Sequence, residues 1–192
     1  MPDALSTSDL RKRWRERTLP RLRGVVLDIG AGSGVAADHL APEAEWLALE
    51  PRRWIGRSLT ERVEERPGAR LLAAPAEAVP LETGSVDAVI ASTALCSARR
   101  PVLALAEIVR VLRPGGTLVF FEHVAADRGT WSSLLQTAYA PVSRWLDHGC
   151  DPHRDTERLI RAAGFAGVSV RRTEVAGALG TIEPLIDGTA IR

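Results

Sequence analysis

The 192-residue chain contains one lysine, Lys12, and no asparagine. Its two cysteines, Cys96 and Cys150, are too few for a disulfide scaffold. No apolar run approaches ~18 residues, so no transmembrane helix is expected. Met1–Leu10 is polar and acidic, unlike a signal peptide, and the expected location is cytoplasmic. Neither sign of charge is in excess. The 25 basic and 24 acidic side chains leave a formal +1, without the basic surplus of a nucleic-acid binder. Abundant arginine and alanine with scarce lysine point to a GC-rich, bacterial genome.

The length fits one domain, at a prior of ~150 residues each. A chain of this size can bury ~70% of its unfolded surface, so it needs neither disulfide nor metal to fold. Charge is nonetheless uneven. Arg11, Lys12, Arg13, Arg15, Arg17, Arg21 and Arg23 face one acid, Glu16, in the same segment. Residues 1–23 therefore read as a basic arm or helix, and residues 24–192 as a single, slightly acidic domain. The segment reads either as a solvated face or, with Leu10 and Trp14, as a helix that touches a phosphate or a membrane surface.

Strand-like and helical patterns alternate along the domain. Gly24–Gly30 is a buried strand, with a helix predicted from about Ser33 to Leu40. Trp46–Glu50, Arg70–Ala73, Val86–Ser92 and Thr117–His123 read as further strands. Helices are predicted over Arg52–Glu65 and Arg99–Leu112, the latter ended by Pro114-Gly115-Gly116. After His123 the rhythm breaks, and residues 127–150 read as an insertion that caps the acceptor. Thr156–Ala163 is a last helix. Val168–Thr173 and Leu185–Ile191 are the last strands, joined by a long loop. Such an order predicts an α/β fold with a mostly parallel sheet and helices on both faces.

The strongest chemical signal is Asp28-Ile29-Gly30-Ala31-Gly32-Ser33-Gly34, straight after the first strand. The glycines permit a tight turn and close approach of a ligand. A dinucleotide enzyme prefers G-x-G-x-x-G, but Val35 stands at the sixth position. An acid at Asp28 suits a cationic amino group better than a pyrophosphate, and S-adenosylmethionine carries that group without a phosphate. Glu50, at the end of the second strand, is placed to accept from both ribose hydroxyls. Glu77, after the third, is placed to accept from the adenine amino group. Singly, these are a turn, a loop acid and a helix-start charge. Together they lie in order outside the carboxyl ends of the strands.

VLDIGAGSG, LALEP, GSVDAVIAS and LRPGGTLVFFEHV resemble the class I S-adenosylmethionine-dependent methyltransferases. Leu95-Cys96-Ser97, Glu122–Ala126, Trp131, Gln136, Gly149-Cys150, Arg154, Phe165 and Glu183–Arg192 narrow the resemblance to the methyltransferase-like alkyl-thiol S-methyltransferases of animal microsomes. It covers roughly Gly24 to the end. At the front the chain departs from that family, which carries an apolar membrane anchor where Asp9–Arg23 here is polar and basic. The resemblance implies a Rossmann-like seven-stranded sheet with the last strand antiparallel. It implies cofactor contacts at Asp28, Gly30, Ala31, Gly32, Gly34, Glu50, Pro51, Ala76, Glu77 and Ser92, and no metal. Trp14, Cys96, His123, Trp131, Leu135 and Tyr139 are the candidate acceptor contacts.

Methyl transfer from a sulfonium to a thiolate is favoured by a dry pocket, since both charges vanish. A thiol with a pKa of ~8.5 needs only a weak base at neutral pH. His123, at the end of the fifth strand, is the candidate base, against a structural reading in which it bonds a loop. Glu122 points to the opposite face by strand alternation and is expected to orient a loop or helix. Cys96 reads as a small apolar strand-end residue or as pocket lining. His148, Cys150 and His153 suggest zinc, but no fourth ligand is evident and no metal is expected. Ser92-Thr93-Ala94-Leu95 replaces the Asn/Asp-Pro-Pro-Tyr/Phe that would position a nucleobase amine. The expected acceptor is a small-molecule thiol, with no nucleic-acid partner and a monomer or homodimer. Two alternatives stand: a C- or O-methyltransferase of quinone-like or secondary-metabolite acceptors, and a non-catalytic cofactor-binding protein.

Overall fold

The computed structural model describes residues 6–126, 130, 151, 154–176 and 181–192. Helix α1 (Thr7–Thr18) starts at a capping box: Ser6 accepts from the Asp9 N–H, and Asp9 accepts in return from the Ser6 N–H. Strand β1 (Val25–Ile29) follows, then β2 (Glu45–Leu49), α2 (Arg57–Glu65), β3 (Arg70–Leu72) and β4 (Val86–Ser92). Then come α3 (Pro101–Val111), β5 (Leu112–His123), α4 (Thr156–Ala162), β6 (Gly167–Ala176) and β7 (Ile182–Ile191).

The seven strands form one sheet in the order β3-β2-β1-β4-β5-β7-β6. β1 to β5 pair in parallel, whereas β7 runs antiparallel to both β5 and β6. The fold is therefore the mostly parallel α/β sheet, with its last strand reversed. Strand order turns back between β1 and β4, and a parallel sheet opens its ligand crevice at such a switch point.

Both faces are covered, which is why β1 and β4 read as continuous apolar runs. One face sets Leu27, Ile29, Val89 and Phe120 against Leu105 and Ile108 of α3 and Ile160 of α4. The other sets Val26, Trp46, Ile90 and Phe121 against Trp14, Leu19 and Leu59. The basic segment is thus not wholly a solvated arm. Trp14 is 2% exposed and meets the Phe121 ring at 5.8 Å between centroids.

Three local expectations are corrected. The helix predicted from about Ser33 to Leu40 is a 3-10 segment, Val35–His39. Gly34 enters it at φ +79°, and Pro42 bars the α conformation at Ala41, leaving too few residues to repay nucleation of an α-helix. The helix predicted over Arg52–Glu65 divides into a 3-10 turn, Arg52–Trp54, and α2. Pro114-Gly115-Gly116 is not a turn outside the sheet, because β5 already begins at Leu112, opposite Val86. A register shift between Val86 and Ala88 absorbs the extra residues as a bulge.

Candidate functional site

The glycine turn closes on its own carbonyls and those of β2. Gly30 and Ala31 N–H groups donate to Leu49 O at 2.9 and 3.1 Å, and the Gly34 N–H donates to Ala31 O at 2.8 Å. Gly30 has φ +66°, and a Cβ there would lie 3.0 Å from the Ala94 Cβ. Gly34 is equally constrained: a Cβ would sit 3.0–3.2 Å from Arg62, Leu59 and Trp46. Gly30 lets the chain turn sharply while β1 stays close to the segment after β4, and Gly34 lets the turn pass close to α2 and β2.

Beside this turn lies a cleft of about 190 Å³. Asp28, Gly30, Gly32 and Ser92 form one side, and α1 closes the other with Arg11, Trp14 and Arg15. Ser92 Oγ and Arg11 Nε are buried without hydrogen-bond partners. A buried polar atom left in this state costs free energy until a ligand or water satisfies it. Asp28 is 3% exposed and accepts from the Trp46 indole N–H at 3.3 Å. Burial pushes its carboxyl up to about 7, against the pull of Trp46 and Arg15, with the Glu50 charge adding to the rise.

The other acids are tied to backbone. Glu50, 7% exposed, accepts from the Gly32 N–H at 2.8 Å and so braces the glycine turn. Glu77 accepts from the Arg100 N–H at 2.8 Å, at the residue that caps α3.

The end of β5 divides by alternation. Glu122 is fully buried and accepts from the Ala94, Leu95 and Cys96 N–H groups at 3.0, 2.9 and 3.0 Å. It orients the turn after β4. Burial raises its pKa well above the ordinary range, and the Cys96 sulfur adds to this, while the Leu95 and Cys96 N–H groups pull it back. On the other face, His123 Nδ1 lies 3.9 Å from Cys96 Sγ. Burial disfavours its imidazolium, but Cys96, Glu122 and Glu183 outweigh this and raise its pKa. Thr93, next to Ser92, has φ +57°, a strained value for a β-branched residue. Its hydroxyl accepts from Arg11 Nη1 at 3.3 Å and donates to Ser92 O at 2.6 Å.

Residues 27–120 match the family described as a methyltransferase domain. Human thiol S-methyltransferase TMT1B is 32% identical over 151 residues, covering 77% of this chain and 62% of the relative. Human thiol S-methyltransferase TMT1A is 28% identical over 171 residues, covering 87% and 70%. Residues 27–120 belong to the methyltransferase-domain family. The demethylmenaquinone methyltransferase of Beutenbergia cavernae is 30% identical over 156 residues, covering 77% of this chain and 64% of the relative. Haemonchus contortus phosphoethanolamine N-methyltransferase 2, solved with S-adenosyl-L-methionine, superposes at a TM-score of 0.73. That pair is 15% identical, covers 95% of this chain and 52% of the other, and shows the shared Rossmann-like methyltransferase fold. The chain spans less than two thirds of the length of TMT1B.

Within the methyltransferase domain, five of the ten predicted cofactor residues line the cleft: Asp28, Gly30, Ala31, Gly32 and Ser92. Gly34, Glu50, Pro51, Ala76 and Glu77 stand outside its wall. Of the predicted acceptor residues, Trp14 lines the cleft, and Cys96 pairs with His123. Trp131, Leu135, Tyr139 and most of the 127–150 insertion lie outside the described residues, as do His148, Cys150 and His153. Arg11, Arg15 and Thr93 were not singled out as site residues, yet all three reach the cleft. Arg11 and Arg15 stand i, i+4 to each other on the helix that carries Trp14, a spacing that the sequence alone shows. The strain at Thr93 has no sequence signal. No helix among the described residues is long and apolar enough to cross a membrane.

The residues present fit S-adenosylmethionine. The cleft offers a glycine turn without side chains, a buried hydroxyl without a partner at Ser92 and an acid at Asp28. It is smaller than the ~300–1,000 Å³ of a typical ligand pocket, and Arg11, Trp14 and Arg15 of α1 line it.

Proposed function

We propose that this protein transfers a methyl group from S-adenosylmethionine to a small-molecule thiol. Asp28, Gly30, Gly32 and Ser92 hold the cofactor, with Asp28 receiving its amino group. Glu50 fixes the glycine turn and is assigned to the ribose, and Pro51, Ala76 and Glu77, beyond the cleft wall, are assigned to the adenine side. When bound, S-adenosylmethionine supplies an electrophilic methyl group on a sulfonium.

The observation that carries the thiol reading is the His123–Cys96 pair at the end of β5, with the imidazole pKa held above its ordinary value. Asp28, Gly32 and Ser92, which line the cleft, would present the methyl group of S-adenosylmethionine to the lone pair of the acceptor sulfur, and the old bonding pair would stay on the cofactor's own sulfur. The thiol proton passes to the His123 imidazole and from there to water. Trp14 and Phe121 shield this face from solvent, and the loss of opposite charges is favoured where water is excluded. Likeness to the two thiol S-methyltransferases supports the same acceptor class.

The test is incubation with methyl-labelled S-adenosylmethionine and a panel of thiols, phenols, quinols and amines, with products read by mass spectrometry. Labelled thioethers are expected. Methylated quinols or phenols without thioethers would move the acceptor to carbon or oxygen, the reading favoured by likeness to demethylmenaquinone methyltransferase. Cofactor binding without any labelled product would make the protein a non-catalytic binder.

A further inference from the structure

Beyond β4, Ala94–Ala98 makes one tight turn, closed by the Ser97 N–H to Ala94 O at 3.2 Å and the Ala98 N–H to Leu95 O at 3.4 Å. Polar side chains grip both of its ends. Glu122 takes the N–H groups of Ala94, Leu95 and Cys96, as described above. On the other end, Arg154 Nη1 donates to the carbonyls of Leu95, Cys96 and Ala98 at 2.8, 2.8 and 2.7 Å. The Arg154 side chain is 16% exposed. Carboxyl oxygens on the N–H end and a guanidinium on the carbonyl end complement the dipole of the turn, and bonds from a charged guanidinium are the strong ones.

The backbone around Arg154 is stitched to the same neighbourhood. The Asp151 N–H donates to Cys96 O at 3.0 Å, and the Ala125 N–H donates to Arg154 O at 3.1 Å. Thr156 Oγ1 donates to His123 O at 3.2 Å. Arg154 therefore joins the turn bearing Cys96 to the strand end bearing His123, while taking no part in the cleft wall.

We propose that Arg154 is a positioning residue for the acceptor side. With Glu122 opposite, it fixes the turn that follows Thr93 and so sets how Cys96 and His123 face the acceptor. This rests on the proposed placement of the acceptor beside His123. It follows that Arg154 governs acceptor recognition and leaves cofactor affinity unchanged.

The test uses the full chain with Arg154→Met and Arg154→Lys. Cofactor affinity is measured by calorimetry, thiol methylation by steady-state kinetics, and peptide-level hydrogen exchange over residues 94–98. Arg154→Met is expected to raise acceptor KM tenfold or more, to leave the cofactor Kd within twofold, and to speed exchange over 94–98 but not over 25–34. Three carbonyls converge on one nitrogen, and a lysine ammonium carries three N–H groups, so Arg154→Lys is expected to recover most of the KM. Equal changes in cofactor Kd and acceptor KM, or an unchanged KM, would overturn the proposal. So would a folded Arg154→Lys as impaired as Arg154→Met. If Arg154→Met does not fold, Glu122→Gln carries the test: it turns an amide NH2 toward the N–H donors and must give the same KM-selective loss. If the natural protein binds cofactor but methylates no thiol, the acceptor assignment has failed. The exchange measurement then still decides the clamp, and equal rates in all three proteins refute it.

Discussion

Asp28 makes a quantitative prediction about cofactor binding. Its carboxyl is 3% exposed and its pKa stands at about 7 in the ligand-free protein. If its anion receives the cationic amino group of the cofactor, binding must first ionise it. A group with pKa about 7 is ionised in roughly a tenth of molecules at pH 6 and in about three quarters at pH 7.5. Affinity should therefore rise about eightfold between these values, on the order of 1.2 kcal/mol. An α-amino group with a pKa of ~7.7–8.0 keeps its proton in most molecules at pH 7.5, and its partial loss trims the rise by at most about two fifths. Calorimetric titration with S-adenosylhomocysteine at pH 6.0, 6.5, 7.0 and 7.5 measures it, with Asp28→Asn as the control. Asn keeps an acceptor for the Trp46 indole and cannot ionise, so its Kd should be weaker at pH 7.5 and level across the series. The same group gives a stability prediction of opposite slope. Its folded pKa is raised above 3.8, so the folded state holds the extra proton between about pH 4 and 7, and stability falls as pH rises through that window. The full penalty is on the order of 4 kcal/mol above pH 7, and Asp28→Asn should abolish it in urea titrations. A Kd level from pH 6 to 7.5 in the natural protein, or a variant with the same slope, would refute the role given to Asp28.

Glu50→Ala should weaken cofactor binding tenfold or more, because it removes the brace on the Gly32 N–H; calorimetry giving an unchanged Kd would remove Glu50 from the site. His123→Ala should slow thiol methylation more at pH 6–7 than at pH 9, where a thiol of pKa ~8.5 ionises unaided. A loss of the same size at every pH would leave His123 with positioning alone. Trp14→Ala vacates a side chain that is 2% exposed and should cost ~3–5 kcal/mol, lowering Tm by about 10 °C for a domain of this length. An unchanged Tm would mean that α1 does not hold the sheet. Thr93→Gly should leave stability unchanged or raise it by up to ~2 kcal/mol, since release of left-handed strain, ~1–3 kcal/mol, exceeds the entropic cost of glycine. A clear drop in Tm would show that the hydroxyl contacts of Thr93 outweigh its strain.

What could be read from the sequence was what repeats locally. Val86–Ser92 is buried on both faces and so announces itself as a strand without reference to any partner. Alternation along β5 placed Glu122 and His123 on opposite faces, and the loop-orienting role of Glu122 followed from that. Sequence and structure part where two local rules compete. Ala36, Ala37 and Leu40 suit either helix type, and only Gly34 and Pro42 at the two ends decide for the shorter one. Gly115 and Gly116 read as a stop, yet their backbone exchanges hydrogen bonds with Arg192, a partner 76 residues away that no local window contains. The three acids expected at the cofactor show the same division. Their order along the chain marked the sheet edge, but their present partners are tertiary: Trp46 for Asp28, Gly32 for Glu50 and Arg100 for Glu77. Two of them bind backbone N–H groups and so fix local turns: Glu50 the glycine turn and Glu77 the start of α3. Asp28 is the exception. It is the buried acid whose charge is suppressed, and a cationic ligand would restore that charge, so it is the member of the set through which binding and pH are coupled.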